Sequence, residues 1–245
     1  MKEERYFYVP EASSRTELPE EEALHAVRVL RMKGGDEMIL MDGEGVFYRA
    51  VVTIAATRRC FYDIVEAVPQ QRDWRGRLHI AMAPTKMMER VEWFVEKATE
   101  IGIDEFSFLC CSFSERRILR VPRLEKIAVS AVKQSRKPWK PVVNAMVDFH
   151  DFIRQPREGR KFIAHCYQEF AREDLYQILQ QPEVAQAEDE ITVLIGPEGD
   201  FSVEEVKEAM AQGYRSVSLG KERLRTETAA LSAAMMGHLS RRIIE

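Results

Sequence analysis

The stretch ITVLIGPEGDFSVEE, residues 191–205, runs an apolar, β-branched segment straight into Gly196, Pro197, Glu198 and Gly199 and then into a helix start. Ser202 and Glu205 stand at the spacing of a capping box, in which each side chain satisfies a backbone N–H of the helix's first turn. An apolar run without polar alternation is a strand buried on both faces, and such strands belong to parallel sheets covered by helices. Glycines at the junction let backbone approach a ligand closely at a helix start. Taken alone, a plain strand-to-helix turn accounts for them equally well.

Working outward, the same alternation recurs. LHIAMA (78–83) is a buried-strand candidate, and the following stretch places Met87, Val91, Phe94, Ala98 and Ile101 on one helical face, with Gly102 as the stop. FSFLCC (106–111), FIAHC (162–166) and SVSLG (216–220) are further strands; 122–136, the stretch from Ser202 to Gly213, and 227–243 are helices. Met87, Met88, Met235 and Met236 lie at helical positions and read as core. This alternation predicts an α/β domain with a mainly parallel sheet.

The first 70 residues differ. RYFYV, EMILM, VFYRAVVTIA and CFYDIVEAV are short strand-like runs, with an acidic helical stretch near 20–30 and Asp42-Gly43 marking a hairpin. Polar QQRDWRGR at 70–77 follows Pro69 and reads as a linker, so the expected domains are 1–72, β-rich, and 73–245, α/β.

The composition, 45% hydrophobic and 31% charged, is that of a folded globular protein. No apolar run reaches the roughly 18 residues of a membrane span, and the N-terminus lacks the apolar core of a signal peptide, so cytoplasm is the expected compartment. Four cysteines without C-x-x-C spacing read as reduced core thiols. His25, His79, His150 and His238 show no metal-ligand spacing, and no metal is expected.

The net charge of −4 speaks against a nucleic-acid partner only if it is spread evenly. It is not. Residues 73–141 carry 14 Lys/Arg against 9 Asp/Glu, whereas both flanks are acidic. Within 114–140, nine basic residues face two acidic ones. A solvated helix face usually mixes signs, so this segment reads as an anion-binding surface, with Trp139 available to stack on a base.

Neither G-x-G-x-x-G nor G-x-x-x-x-G-K-[ST] occurs, which disfavours nicotinamide and nucleoside-triphosphate chemistry. In SVSLGKERLRTETAALSAAMM (216–236) a strand ends at Leu219-Gly220, a basic loop follows, and Thr226 or Thr228 can cap a helix rich in small residues.

LIGPEGDFSVEE together with SLGKERLRTETAALSA resembles the two C-terminal signatures of the SPOUT superfamily of RNA methyltransferases, in particular the 16S ribosomal RNA uracil-N3 methyltransferase family. RVLRMKGGDEMILMDGEGVFYRA resembles that family's PUA-like RNA-binding module, KMMERVEWFVEKATEIGI its first long helix, CCSFSERR a loop beyond its second strand, and AVKQSRKPWKPVV its basic helix end. The pieces occur in order and span nearly the whole chain.

The resemblance implies a PUA-like β-barrel over 1–72 and, over 73–245, a SPOUT-type α/β domain with a trefoil knot. It further implies a cytoplasmic homodimer that binds S-adenosylmethionine and methylates N3 of a uridine in the 16S RNA of the small ribosomal subunit, without metal or membrane. The cofactor residues it implies are Leu194, Ile195, Gly196, Pro197, Glu198 and Gly199 on the first loop. On the second they are Leu219, Gly220, Leu224, Arg225, Thr226, Thr228 and Ala229.

Methyl transfer to uracil N3 requires loss of a proton and stabilisation of the ring's developing negative charge. Arg225, Arg116 and Arg136 are candidates for the second task, and Glu227 for the first, although an acid in a helix's first turn is also favourable for the helix alone. RNA-binding candidates are Arg28 and Arg31 on the first module and Arg116, Arg117, Arg136, Lys137 and Lys140 in the basic segment. His165 either faces the cofactor or serves as a hydrogen-bonded structural residue, the commoner fate of a lone histidine. Three positions depart from the family pattern: Asp200 where a glycine is common, Lys133 where a Glu is, and Lys137 where an Arg is. Two alternatives stay open: a non-catalytic RNA-binding or ribosome-assembly protein of the same fold, and a related enzyme acting on a ribose 2′-hydroxyl or on transfer RNA.

Overall fold

The computed structural model describes residues 4–243. It forms two compact units, one made of the chain up to Gln71 together with 129–140, the other of 72–128 with the chain from Pro141 onward.

In the first unit β1 (Tyr6–Tyr8) pairs in parallel with β2 (Glu37–Met41), which pairs antiparallel with β3 (Val46–Ala55), which pairs antiparallel with β4 (Cys60–Pro69). Asp42 makes the β2–β3 hairpin: one carboxylate oxygen accepts from the backbone N–H of Glu44 (2.7 Å) and Val46 (3.0 Å). The acidic stretch is helical only as α1 (Glu20–Leu24); it continues as a π-helical turn, His25–Val29, and is ended by Arg31 at φ 52. Phe7, Leu40, Tyr62 and Met38 fill this unit's core.

The segment 129–140, which the sequence placed in the second domain, clusters with this unit. Lys133 donates to both carboxylate oxygens of Glu22 (2.6 and 2.8 Å), and the backbone of Trp139 bridges to Gly43 and Glu44. A Cβ on Gly45 would lie 2.6 Å from Trp139 Nε1, so the indole packs directly against that glycine. Trp139, expected to stack on a base, is a packing residue here.

In the second unit, seven parallel strands stand in the order β7-β6-β5-β10-β8-β11-β9. They are β5 (Arg77–Met82), β6 (Glu105–Cys110), β7 (Val142–Asp148), β8 (Arg160–Ala164), β9 (Glu173–Asp174), β10 (Glu190–Ile195) and β11 (Arg215–Ser218). The helices are α2 (Met88–Ile101), α3 (Val121–Ser135), whose residues from 129 on cluster with the first unit, α4 (Phe149–Arg154), α5 (Leu175–Leu179), α6 (Pro182–Ala185), α7 (Val203–Ala211) and α8 (Thr226–Arg241).

Side chains alternate across the sheet. Ile80, Met82, Val193 and Ile195 face α2, α5, α8 and the start of α3, whereas Ala81, Ala83, Leu109 and Leu194 face α4 and α7. Three layers result, with Phe94, Phe106, Phe108 and Phe162 fully buried on the first face. Burying each ring contributes roughly 1.5–3 kcal/mol.

The sequence missed β7, an edge strand with one buried residue, and β9, which is two residues long. Met87 and Met235, expected in the core, are exposed at 50% and 41%; Met88 and Met236 pack on the core only in part. Of the four free thiols, Cys60 and Cys111 are buried, Cys110 is half-buried and Cys166 is exposed, so the core reading holds for two. Among the described residues no helix is long and apolar enough to cross a membrane.

Candidate functional site

Parallel sheets bind ligands beyond the carboxyl ends of their strands. In the second unit the loops leaving β8, β10 and β11 surround a cavity of about 470 Å³ there.

The loop after β10 contributes Ile195, Gly196, Pro197, Glu198 and Asp200. A Cβ on Gly196 would come within 3.0 Å of the backbone nitrogen of Phe201, so a larger residue could not close this turn without moving the main chain. Asp200 sits at φ 67, and its carboxylate accepts from the backbone N–H of Phe201 and Cys166, each at 2.8 Å. It therefore ties the β10 loop to the β8 loop. Ser202 caps α7 with Glu205 in the expected reciprocal box, and the second oxygen of Glu205 accepts from Ser112 N (2.8 Å).

The loop after β11 contributes Leu219, Gly220, Leu224, Arg225, Thr226 and Ala229. Gly220 adopts φ 117, a conformation that favours glycine, and a Cβ there would meet nothing within 4 Å, so open space lies beside it. Neither threonine caps α8. Its N-cap is Arg225, without a side-chain cap; Thr226 is buried in the first turn and Thr228 is exposed. Of the expected cofactor residues, Leu194, Gly199 and Thr228 do not line the cavity: Leu194 is core, and a Cβ on Gly199 would stand 3.2 Å from Phe113.

From the β8 loop come His165 and Cys166, with Arg172 beyond them. His165 is buried; its Nδ1 accepts from Tyr167 N (3.2 Å), which assigns the proton to Nε2, facing Ser216 Oγ at 2.9 Å. Burial holds the imidazole below its ordinary pKa, and Arg172, which donates to the carbonyl of His165 (2.8 Å), acts in the same direction. Burial also pushes the Cys166 thiol up, followed by the charge of Asp200.

Arg90, from the first turn of α2, completes the wall. Its Nε lies 3.6 Å from Oε1 of Glu227. Glu227 is 7% exposed, does not line the cavity, and leaves Oε2 buried without a hydrogen-bond partner. Arg90 and Asp200 lie within the quoted stretches, Asp200 only as a departure from the family pattern, and neither was singled out for the site; for Arg172 position near a strand end was the available signal.

Arg116 is a strut. Its guanidinium donates to the carbonyls of Thr85 (3.1 Å) and Lys86, and it does not line the cavity. Arg117 is exposed and donates to Cys110 Sγ at 3.6 Å. Arg28, Arg31, Arg136, Lys137 and Lys140 belong to the first unit. The first three are exposed, and the Arg136 guanidinium lies over the Tyr6 ring at 4.8 Å. The basic segment is partly neutralised by acids distant in sequence: Arg123 by Glu92, Lys133 by Glu22.

His79, Glu105 and Glu190 bring three potential metal-ligand atoms within 4.8 Å of one another at the opposite end of the sheet. Sequence spacing could not show this, because they come from three strands. Arg157 stands 3.2 Å from His79 and 3.9 Å from Glu190, so a side-chain cation already serves this cluster.

Residues 72–237 match the model of an RNA methyltransferase domain, and 18–61 that of an RNA methyltransferase PUA domain. A curated relative from Synechocystis, the ribosomal RNA small subunit methyltransferase E, is 29% identical over 207 residues; the match covers 82% of this chain and 65% of the relative. The crystal structure of a "probable rRNA-methyltransferase" from Porphyromonas gingivalis is 40% identical, with a TM-score of 0.87 over 97% of this chain and 98% of that one. That of ribosomal RNA small subunit methyltransferase E from Neisseria gonorrhoeae, bound to S-adenosyl methionine, is 25% identical, with a TM-score of 0.78 over 95% of each chain. The domain match covers more than half of the sequence and includes every residue that lines the cavity, so the chain belongs to the RNA methyltransferase family.

Proposed function

We propose that this protein is a cytoplasmic, S-adenosylmethionine-dependent enzyme that methylates N3 of a uridine in 16S ribosomal RNA. The observation that carries the reading is the convergence of the two glycine-bearing loops, marked separately in the sequence, on one cavity at the carboxyl end of the sheet. The same fold in a solved neighbour holds S-adenosyl methionine.

The cavity suits the cofactor: Gly196 leaves no room for a side chain, and Gly220 opens onto free space. Residues 195–198 and Leu219, Gly220, Leu224, Thr226 and Ala229 would hold the nucleoside through main-chain groups and small side chains. Leu194 and Gly199 support that wall from behind. The bound cofactor supplies an electrophilic methyl group on a sulfonium. The protein's task is then positioning and charge. Arg225, exposed at the cavity and N-terminal to α8, stabilises the negative charge that grows on the uracil as N3 loses its proton. Glu227 is buried behind Arg90, so we assign proton removal to solvent hydroxide and a supporting role to Glu227.

Arg28, Arg31, Arg117 and Arg136, with Lys137 and Lys140, grip RNA phosphates, and Arg116 fixes the loop that carries Arg117. Thr228, Met235 and Leu239 form an exposed stripe along α8. A homodimer that covers this stripe, and the knot implied by the sequence resemblance, complete the proposal. Incubation with labelled S-adenosylmethionine and small-subunit RNA tests it, N3-methyluridine being the expected labelled nucleoside. A 2′-O-methyl nucleoside, label in transfer RNA alone, or no product overturns it.

A further inference from the structure

We infer that Arg90 receives the carboxylate of the cofactor's amino-acid end and that Glu227 is the positioning residue that holds Arg90 for it. The inference rests on the reading that this cavity binds S-adenosylmethionine.

Arg90 belongs to neither glycine-bearing loop, yet its side chain forms part of the cavity wall. The guanidinium makes no hydrogen bond to any described residue; its charged neighbour is Glu227, at 3.6 Å from Nε. A guanidinium offers five N–H donors in a planar fork that matches a carboxylate in a two-bond arrangement. Here that fork is unspent at the edge of a ligand-sized space.

Glu227 explains why the fork stays there. Its carboxylate is buried, and a buried charge is strongly unfavourable unless a partner of opposite sign lies close. With Oε2 unpartnered, Arg90 is the compensation within reach, so withdrawing Arg90 to solvent would strand the acid. The pair thus anchors a cation at a fixed point on the wall.

The other cavity arginines are placed differently. Arg172 already donates to the carbonyl of His165, and Arg223 and Arg225 sit exposed on the loop leading into α8. A fixed, partly desolvated cation suits a ligand group with one position, whereas exposed cations suit RNA. The side chain of Arg90 is 30% exposed, which fits an anion that enters with the ligand.

Calorimetry with S-adenosylhomocysteine and with 5′-methylthioadenosine, which shares the nucleoside thioether but lacks the amino-acid end, tests the assignment. Arg90→Ala is expected to weaken S-adenosylhomocysteine binding by roughly ten- to a hundredfold, the worth of a charge-assisted hydrogen-bonded pair, while leaving 5′-methylthioadenosine binding unchanged. Arg90→Lys, which keeps the charge without the fork, recovers part of the loss, and Glu227→Gln weakens the same ligand by a smaller factor. Equal losses for both ligands in Arg90→Ala and Arg90→Lys overturn the assignment, because they indicate a disturbed cavity. Unchanged S-adenosylhomocysteine affinity with slower methyl transfer also overturns it, because Arg90 would then serve the RNA. If the unaltered protein binds neither compound, the cofactor reading itself fails, and this inference with it.

Discussion

The two ends of the parallel sheet in the second unit use similar residues to opposite ends. At the amino end, His79 is fully buried; its Nε2 lies 2.9 Å from Ser107 Oγ and its Nδ1 3.2 Å from Arg157, while Asn144 bridges Glu105 and Ser107. The neighbouring His79 ring, followed by the hydrogen bond from Thr192 and the charge of Arg157, holds the Glu190 carboxyl below its ordinary range. At the carboxyl end, charged side chains line open space, and Arg90 and Glu227 are left short of hydrogen bonds. At the amino end the cluster's groups are spent mainly on one another, with Nε of Arg157 the one member atom buried without a partner, and the set fastens the sheet; at the carboxyl end the unspent guanidinium of Arg90 borders ligand-sized space. What the unspent donors face, packed protein or open space, separates the structural end from the functional one more than residue type does.

The comparison breaks most visibly through Gly159, beside the amino end. It adopts φ 85, and a Cβ there would lie 2.2 Å from the carbonyl oxygen of Glu190. Gly159→Ala is expected to cost about 3–4 kcal/mol, combining backbone strain with overpacking, read as a lowered urea midpoint. Cofactor affinity of the folded fraction should be unaltered; a loss would mean that the two ends are coupled.

Arg225→Ala is the counterpart at the carboxyl end. Methyl transfer should fall by about a hundredfold, equivalent to about 2.7 kcal/mol in the transition state. The unfolding free energy read from urea denaturation should change by less than about 0.5 kcal/mol, because the side chain is exposed.

Acidity separates the ends next. Because the folded-state pKa of Glu190 is depressed, its contribution is present above the unfolded value of about 4.5 and is lost as pH falls through the lower folded value. Glu190→Gln should therefore be less stable than the unaltered protein at pH 7 by about 1–2 kcal/mol, with the difference shrinking below pH 4.5. A pH-independent difference in denaturation midpoint would show that packing, not charge, is at work.

The smallest effect is expected at Asp200. Asp200→Gly removes acceptors for two backbone N–H groups, each worth about 1 kcal/mol, but relieves a left-handed conformation of similar cost. Stability should change by less than about 1 kcal/mol. Cofactor affinity should fall modestly as the Cys166 loop loosens, measured by calorimetry with S-adenosylhomocysteine; a larger fall would give Asp200 a direct contact.

Long elements were legible because their signals are local. The Val91, Phe94 and Ala98 face of α2, the glycine stop at Gly102 and the box of Ser202 and Glu205 follow from periodicity and capping. Helices α4 to α6, of four to six residues, are too short for a hydrophobic period to emerge. The π-helical turn at His25–Val29 shares the helical pattern of α1 and differs only in hydrogen bonding. At the site, Gly196 and Gly220 were readable because close approach and positive φ exclude other residues. Arg116 was misread as a ligand-facing cation, since nothing in a run of basic residues reveals which guanidinium will meet a carbonyl.

By itself the sequence determined the alternation of strands and helices, the change of character near residue 72, and the two glycine-bearing loops, all of which depend on neighbours a few residues apart. Only the tertiary structure decided that those loops share one cavity, that 129–140 clusters with the first unit, and that Arg90 meets Glu227 across 137 positions of chain. The physical reason is that pairing, burial and close approach are properties of atoms in space. A charge that reads as a ligand site in the sequence becomes a strut, a lock or a receptor according to which partner the fold brings to it.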